Sequence, residues 1–368
     1  MVKLKKIHLI AGARPNFMKI APLWHVLSQS DWCRPFIVHS GQHSDINMSD
    51  WFFKDLDLPA PHFNLNATTG SHAKVTGSVM MAYEELIKDT NPDMTIVVGD
   101  VDSTIACTLS AKKMGVPVAH LEAGLRSFDR TMPEELNRLL VDSIADLLWT
   151  PSPDGDENLL NEGVDPARIQ RVGNIMIDSL VRVWSKLEAV DLQSKLQLEP
   201  GSSYAVVTTH RPANVDFDAQ LTNIVDVLLR ISQKIQLIFP IHPRTKNKLI
   251  EFGLFDRLER SNIQVCDPLG YLDFNALVKN ASFLMTDSGG IQEETTYMQV
   301  PCLTLRPNTE RPITISQGTN KLVTVDELEN AVEEVMKVEN KIRGACQIEF
   351  WDGRTAERVA ANLQKYLS

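Results

Sequence analysis

Three carboxylates stand where apolar runs of the chain stop. Asp100 closes Val97-Val98-Gly99, Glu122 closes Val118-Ala119-His120-Leu121, and Glu134 lies in Pro133-Glu134-Glu135-Leu136-Asn137-Arg138. Runs of this kind read as strands of a parallel sheet buried on both faces, and the ends of such strands converge on one edge. Carboxylates gathered there could share a pocket. Held close together they raise each other's pKa, which suits general acid–base work. Plainer roles stay open beside this one. Asp100 and Glu122 could cap helices, and Met132-Pro133 makes Glu134 and Glu135 natural residues of a first helical turn.

Two further segments could hold an anion. Gly12-Ala13-Arg14-Pro15-Asn16-Phe17-Met18-Lys19 follows the first apolar run. A glycine turn leading into a helix N-terminus offers N–H groups to an anion, and Arg14 and Lys19 add cations. Thr286-Asp287-Ser288-Gly289-Gly290 follows Phe283–Met285 and precedes Ile291-Gln292-Glu293-Glu294. Small residues there let backbone N–H groups approach a phosphate while the helix dipole favours its charge. Of the two glutamates, one can cap the first turn and the other can accept from a ribose diol. His210 in Thr208-Thr209-His210-Arg211-Pro212, and His242 in Ile241-His242-Pro243-Arg244, end successive apolar runs. A histidine in that position can hydrogen-bond or protonate a leaving group. His39 and His43 are four apart, but Gly41 between them argues for a loop, so they are not a zinc pair.

The elements that must position these groups are short apolar runs alternating with helical patterns. The runs are Ile7–Ala13, Phe36–Ser40, Thr95–Gly99, Val116–Leu121 and Leu148–Pro151, then Tyr204–Thr209, Gln236–Ile241, Ile263–Cys266, Phe283–Thr286 and Cys302–Leu305. Helical windows lie between them, among them Lys19–Gln29, Gly77–Lys88, Ser103–Met114, Asp216–Ser232 and Ile291–Met298. This alternation predicts an α/β protein with two Rossmann-like, doubly wound domains facing across a cleft. Residues 175–200 are rich in charge and glutamine, so the first domain is placed at residues 1–175 and the second at 176–352. Residues 353–368 form a terminal helix with Val359, Leu363 and Tyr366 or Leu367 on one stripe and Asp352 as its cap.

Composition narrows the class. Of 368 residues, 43% are hydrophobic and 23% charged, which excludes disordered and low-complexity chains. With 37 Lys plus Arg against 47 Asp plus Glu, the net charge is −10, a poor default for nucleic-acid binding. Five widely spaced cysteines with no CxxC predict a reducing compartment and neither a disulfide framework nor a structural metal. No secretory signal or membrane-length apolar run is apparent, so a cytoplasmic protein with no membrane partner is expected.

Taken in order, Gly12–Lys19, Gly41-Gln42-His43, Gly99-Asp100, His120–Arg126, Pro133–Arg138, His210-Arg211, Tyr271–Phe274, Asp287–Glu294 and Glu310-Arg311-Pro312 resemble the blocks of the non-hydrolysing UDP-N-acetylglucosamine 2-epimerase family. Each block is weak alone, and the ordered set is specific. The resemblance implies a glycosyltransferase-B-like architecture, a homodimer, and a terminal helix packed on the first domain. It implies that Arg14 and Phe274 lie near the uracil, that Ser288, Gly289 and Gly290 hold the diphosphate, and that Glu294 holds the ribose. Arg311, Lys19 and His210 would sit near phosphate or sugar. Gln42 and His43 would belong to the substrate-binding loop. Asp100, Glu122 and Glu134 would surround the carbon that inverts, with Arg138 as partner of that cluster.

The chemistry so implied is reversible epimerisation of UDP-N-acetylglucosamine to UDP-N-acetylmannosamine, supplying cell-envelope polysaccharide. No carbonyl is attached to C-2, so its hydrogen is not acidic and a free carbanion is implausible. Coupling proton removal to departure of UDP from C-1 gives a 2-acetamidoglucal instead. This calls for proton-transfer groups on both faces and stabilisation of the leaving group. Neither nicotinamide nor metal is required, and no GxGxxG is present. Asp45 stands where many members have a long polar residue, in a loop that binds a second, activating substrate in some of them. Related enzymes act on other UDP-2-acetamido sugars such as diacetamido uronates. The bifunctional hydrolysing relatives carry a kinase domain that is not expected here. A sugar-nucleotide glycosyltransferase of the same architecture and a silent nucleotide-sugar binder are the competing readings.

Overall fold

Two sets of parallel strands organise the chain. The computed structural model describes residues 4–41, 55–68, 70–199, 201–337 and 345–368. It divides into one unit of Met1–Arg182 with Glu349–Ser368 and another of Val183–Ile348.

In the first unit the strands are β1 (Lys5–Ala11), β2 (Cys33–His39), β3 (Phe63–Asn64), β4 (Met94–Val98), β5 (Val118–Leu121), β6 (Leu147–Thr150) and β7 (Ile169–Arg171). They pair in the order β3-β2-β1-β4-β5-β6-β7, every pair parallel. In the second unit β8 (Tyr204–Thr208), β9 (Gln236–Pro240), β10 (Ile263–Cys266), β11 (Leu284–Thr286), β12 (Cys302–Thr304) and β13 (Asn320–Leu322) pair as β10-β9-β8-β11-β12-β13, again all parallel. Both are the Rossmann order. Each sheet reverses direction of growth between its first and fourth strands, which is where doubly wound folds bind ligands. The expected α/β class, with two Rossmann-like doubly wound sheets, is therefore observed.

The helices used below are α1 (Arg14–Ser28), α2 (His72–Thr90), α3 (Asp102–Lys113), α4 (Pro133–Ile144), α5 (Ile175–Glu188), α6 (Tyr271–Asn280), α7 (Ile291–Met298) and α8 (Thr355–Leu367). Helix α2 shows why they form. Ser71 accepts from Lys74 N at its start, Asn91 ends it with φ of 51°, and Val75, Val79, Tyr83 and Ile87 make a buried stripe at i+4 spacing. Fully burying each such apolar side chain stabilises by about 2 kcal/mol. The stripe joins Ile10, Val38, Val97 and Val118 in the core of the first unit. Val207, Ile224, Phe239, Met285 and Leu303 anchor that of the second.

Two local expectations are corrected. Helix α1 begins at Arg14 rather than Lys19, because Pro15 is pre-set for a first turn and Asn16 ties that turn down. Asp352 does not cap α8. It accepts from Arg354 N and pairs with Arg358, while buried Asp178 of α5 accepts from Thr355 N (3.0 Å) and Ala356 N (2.8 Å). Within the same unit Trp149 Nε1 donates to Asn362 Oδ1 at 2.8 Å, fixing α8 from a second direction. Val359 and Leu363 are buried, whereas Tyr366 is exposed. Among the described residues no helix is long and apolar enough to cross a membrane. All five cysteines are free thiols.

Candidate active site

At the switch point of the first unit, the turn after β1 is built around buried Asn16. Its Oδ1 accepts from Gly12 N (3.0 Å) and Ala13 N (2.8 Å), and its Nδ2 donates to the Val98 carbonyl of β4 (3.1 Å). The two turn N–H groups are thus occupied by a side chain. Any Cβ on Gly12 would fall 1.7 Å from Ser103 Oγ, so glycine is required by close approach. Nothing in the sequence marks Asn16 apart from its neighbours.

One turn along α1, Lys19 is buried and its Nζ lies 2.5 Å from Glu122 Oε2. Glu122 is buried at the end of β5 with φ of 71°, a conformation that costs a non-glycine residue about 1–3 kcal/mol and is characteristic of functional sites. Its Oε1 is buried with no hydrogen-bond partner among the described residues. Buried polar atoms are nearly always satisfied, so an orphaned carboxylate oxygen marks a place where something else is meant to bond. Gly99 lies beside this pair: a Cβ there would stand 2.8 Å from Lys19 Nζ and 3.7 Å from Glu122 Oε2.

Asp100, the next residue, is held by Arg138, whose Nε and Nη2 reach its Oδ2 at 3.0 and 2.5 Å. Asn137 Nδ2 donates to the Asp100 carbonyl at 2.8 Å. Both partners come from α4. Its first turn carries two glutamates with different fates. Buried Glu135 accepts from Ser127 N, Phe128 N and Arg138 Nη1. Glu134 stays half-buried, and its side chain makes no hydrogen bond among the described residues. Glu135 is a second carboxylate that the sequence reading did not separate from its neighbour, and it links Arg138 to the Ser127–Phe128 loop. The structure therefore brings Asp100, Glu122, Lys19 and Arg138 to one edge of the sheet, where Gly99 N bonds to the Leu121 carbonyl.

At the switch point of the second unit, Asp287 follows β11 and is fully buried. It accepts from His210 N, Arg211 N and Asn214 Nδ2, and His210 Nδ1 stands 3.0 Å from its Oδ1. Burial pushes this carboxyl up, but the His210 ring and the other donors outweigh it and hold the group below the usual range. Ser288 N donates to Thr286 Oγ1, which shapes the loop into Gly289 and Gly290. A Cβ on Gly289 would meet Glu310 Oε1 at 2.6 Å and Arg311 Nη1 at 3.0 Å; one on Gly290 would meet nothing. Beneath Gly289 lies a buried charged group. Arg306 pairs with Glu310 at 2.9 Å, and Arg311 pairs with Glu310 at 2.5 Å and with Glu293 at 2.9 Å.

Glu294, one residue into α7 from Glu293, is buried and accepts from Tyr271 Oη of α6 at 2.8 Å. Burial raises its carboxyl to about 7, helped by the Glu293 charge and opposed by the Tyr271 bond. Phe274 is half-buried on α6. Gln42 and His43 lie outside the described residues, as does the side chain of Arg14.

Comparison with known proteins identifies the family of the chain. The family model for UDP-N-acetylglucosamine 2-epimerase matches residues 25–364. A UDP-N-acetylglucosamine 2-epimerase of Methanococcus maripaludis is 41% identical over 315 residues, 84% of this chain and 85% of that protein. A UDP-2,3-diacetamido-2,3-dideoxy-D-glucuronate 2-epimerase of Pseudomonas aeruginosa is 39% identical over 308 residues, 83% of this chain and 84% of its own. The crystal structure of Methanocaldococcus jannaschii UDP-GlcNAc 2-epimerase, in complex with UDP-GlcNAc and UDP, superposes with a TM-score of 0.89 at 39% identity, covering 98% and 99% of the two chains. On these grounds the chain belongs to the UDP-N-acetylglucosamine 2-epimerase family of isomerases.

Proposed function

We propose that this chain interconverts UDP-N-acetylglucosamine and UDP-N-acetylmannosamine by elimination and re-addition of UDP. The C-2–H electron pair becomes the C-1=C-2 bond as the C-1–O bond breaks. The proton passes to a carboxylate, and the electron pair leaves on the β-phosphate of UDP. Return of a proton to the opposite face of C-2, with UDP rejoining C-1, gives the epimer. One observation carries the reading on this chain: Glu122, strained and buried, has Oε2 held by Lys19 and Oε1 without a partner among the described residues.

Asp100, Glu122 and Glu134 would exchange protons with C-2 and hold the sugar, and Arg138 would orient Asp100. His210 would meet the leaving oxygen through Nε2, since Asp287 takes its Nδ1 side. Gly289, Gly290, Ser288 and the α7 N-terminus would hold the diphosphate with Arg311, Glu294 the ribose, and Phe274 and Arg14 the uracil. Gln42 and His43 would complete the substrate loop. Five free thiols and a nucleotide-sugar substrate support a cytoplasmic enzyme, and homodimerisation is proposed on the family's pattern.

A UDP-diacetamido uronate is the second reading, favoured by the Pseudomonas relative at nearly equal identity. Incubation with each UDP-sugar alone, followed by product NMR, separates them. The account expects UDP-N-acetylmannosamine from UDP-N-acetylglucosamine with no acceptor present. Epimerisation of the uronate alone would transfer the assignment. No epimer from either sugar, with transfer when an acceptor is supplied, would overturn it.

A further inference from the structure

His120 is fully buried on β5, two residues before Glu122, and the proposed chemistry gives it no part. Its Nε2 lies 2.9 Å from the Gly99 carbonyl, and its Nδ1 lies 2.6 Å from Asp142 Oδ1. Asp142 is itself fully buried on α4, and its other oxygen accepts from Gly124 N at 3.0 Å and pairs with Arg126 Nη1 at 2.8 Å. Arg126 in turn is held by Glu162. One chain of bonds thus reaches both turns that carry the carboxylates. Through Nε2 it grips the peptide joining Gly99 to Asp100. Through Asp142 it grips the turn running from Glu122 to Gly124.

Both turns need such a grip. Gly99, Glu122 and Gly124 all have positive φ, at 66°, 71° and 79°, so neither turn is held by ordinary strand geometry. We infer that His120, with Asp142, is a positioning residue that sets the spacing of the Asp100 and Glu122 carboxylates. This inference rests on the proposed proton-transfer roles of those two groups. A buried network in which every member is satisfied is stiff, and removing its central link releases both turns together. Displacing a reacting group by about 1 Å costs about 10²-fold in rate.

The test compares His120→Ala with His120→Gln, whose side-chain NH2 can still donate to the Gly99 carbonyl. Expected for His120→Ala is a kcat lowered about 10²-fold, with KM and UDP affinity by calorimetry changed by less than about threefold, since UDP is assigned to the second unit. His120→Gln should recover most of that loss. Amide hydrogen exchange should quicken in peptides covering 98–104 and 121–127 of His120→Ala and stay slow in His120→Gln. If His120→Ala does not fold, Asp142→Asn, which has one acceptor oxygen where the network uses two, toward His120 and toward Gly124, serves with the same readouts. A lowered melting temperature with kcat per folded molecule and exchange both unchanged would overturn the inference, as would a glutamine variant no better than alanine. If the wild-type chain epimerises neither UDP-sugar, the proposed function falls, and the exchange measurement still decides the positioning role.

Discussion

Asp100 and Asp287 occupy matching places in the two sheets, just beyond the strand next to the switch point, yet they are built for opposite purposes. Asp287 is sealed from solvent and saturated by four donors from the His210–Asn214 segment. Asp100 is partly open and is held by Arg138. Their neighbours diverge in the same way. The first unit places carboxylates and matching cations at its edge, and Glu122 keeps a buried oxygen without a partner among the described residues. The second offers glycines, a helix N-terminus and a buried Arg–Glu group. A saturated buried acid clamps its loop, whereas a buried carboxylate oxygen with no partner among the described residues, as in Glu122, suits a ligand. On the proposed function, the same topology would serve proton transfer in one unit and anion binding in the other.

The largest effect should come from the acids of the first unit. Asp100→Asn, Glu122→Gln and Glu134→Gln are expected to lose ~10²–10⁴-fold in turnover each, with UDP affinity by calorimetry nearly unchanged. Equal losses of affinity and turnover would erase the division of labour. The clamp should behave otherwise: Asp287→Asn is expected to weaken UDP binding by releasing the His210–Asn214 segment and to lower the melting temperature as well.

Glu294 sharpens the comparison through pH. Its folded-state pKa, about 7, lies above the ordinary 4.5. The resulting stabilisation is full below about pH 4.5 and is lost as pH rises through about 7. At complete ionisation the loss is on the order of 3 kcal/mol. Glu294→Gln cannot ionise and can still accept from Tyr271. Its stability relative to wild type in urea titrations should therefore rise between pH 5 and pH 8. A difference independent of pH would contradict the assigned shift.

Smaller effects separate the two loop glycines. Gly289→Val should cost about 1–3 kcal/mol through crowding against Glu310 and Arg311 and weaken UDP binding about tenfold or more. Gly290→Ala, in helical geometry and open space, should change stability by less than ~0.5 kcal/mol. Similar melting curves for the two variants would remove the reason for glycine at 289.

Much of this arrangement is legible in the sequence because apolar runs ending in Gly99-Asp100, Leu121-Glu122 and Thr286-Asp287 mark strand ends by type alone. Three of the four edge strands escape it. Phe63–Asn64, Ile169–Arg171 and Asn320–Leu322 are two or three residues long, too short for any period to show. Side-chain fates set by distant partners escape it too. Nothing local separates Glu134 from Glu135; the difference is that Glu135 meets Ser127, Phe128 and Arg138. Asp352 sits where a cap is expected, but Asp178, 177 residues before Thr355, holds that helix end. Asn16 looks like an ordinary turn residue until Val98 is known to lie beside it.

The central claim is that C-2 gives up its hydrogen to protein carboxylates as UDP departs. Turnover of UDP-N-acetylglucosamine in heavy water, followed by NMR, tests it most directly. The account predicts solvent deuterium at C-2 of both epimers, with traces of free UDP and 2-acetamidoglucal. Retention of the original hydrogen at C-2 through many turnovers would contradict it.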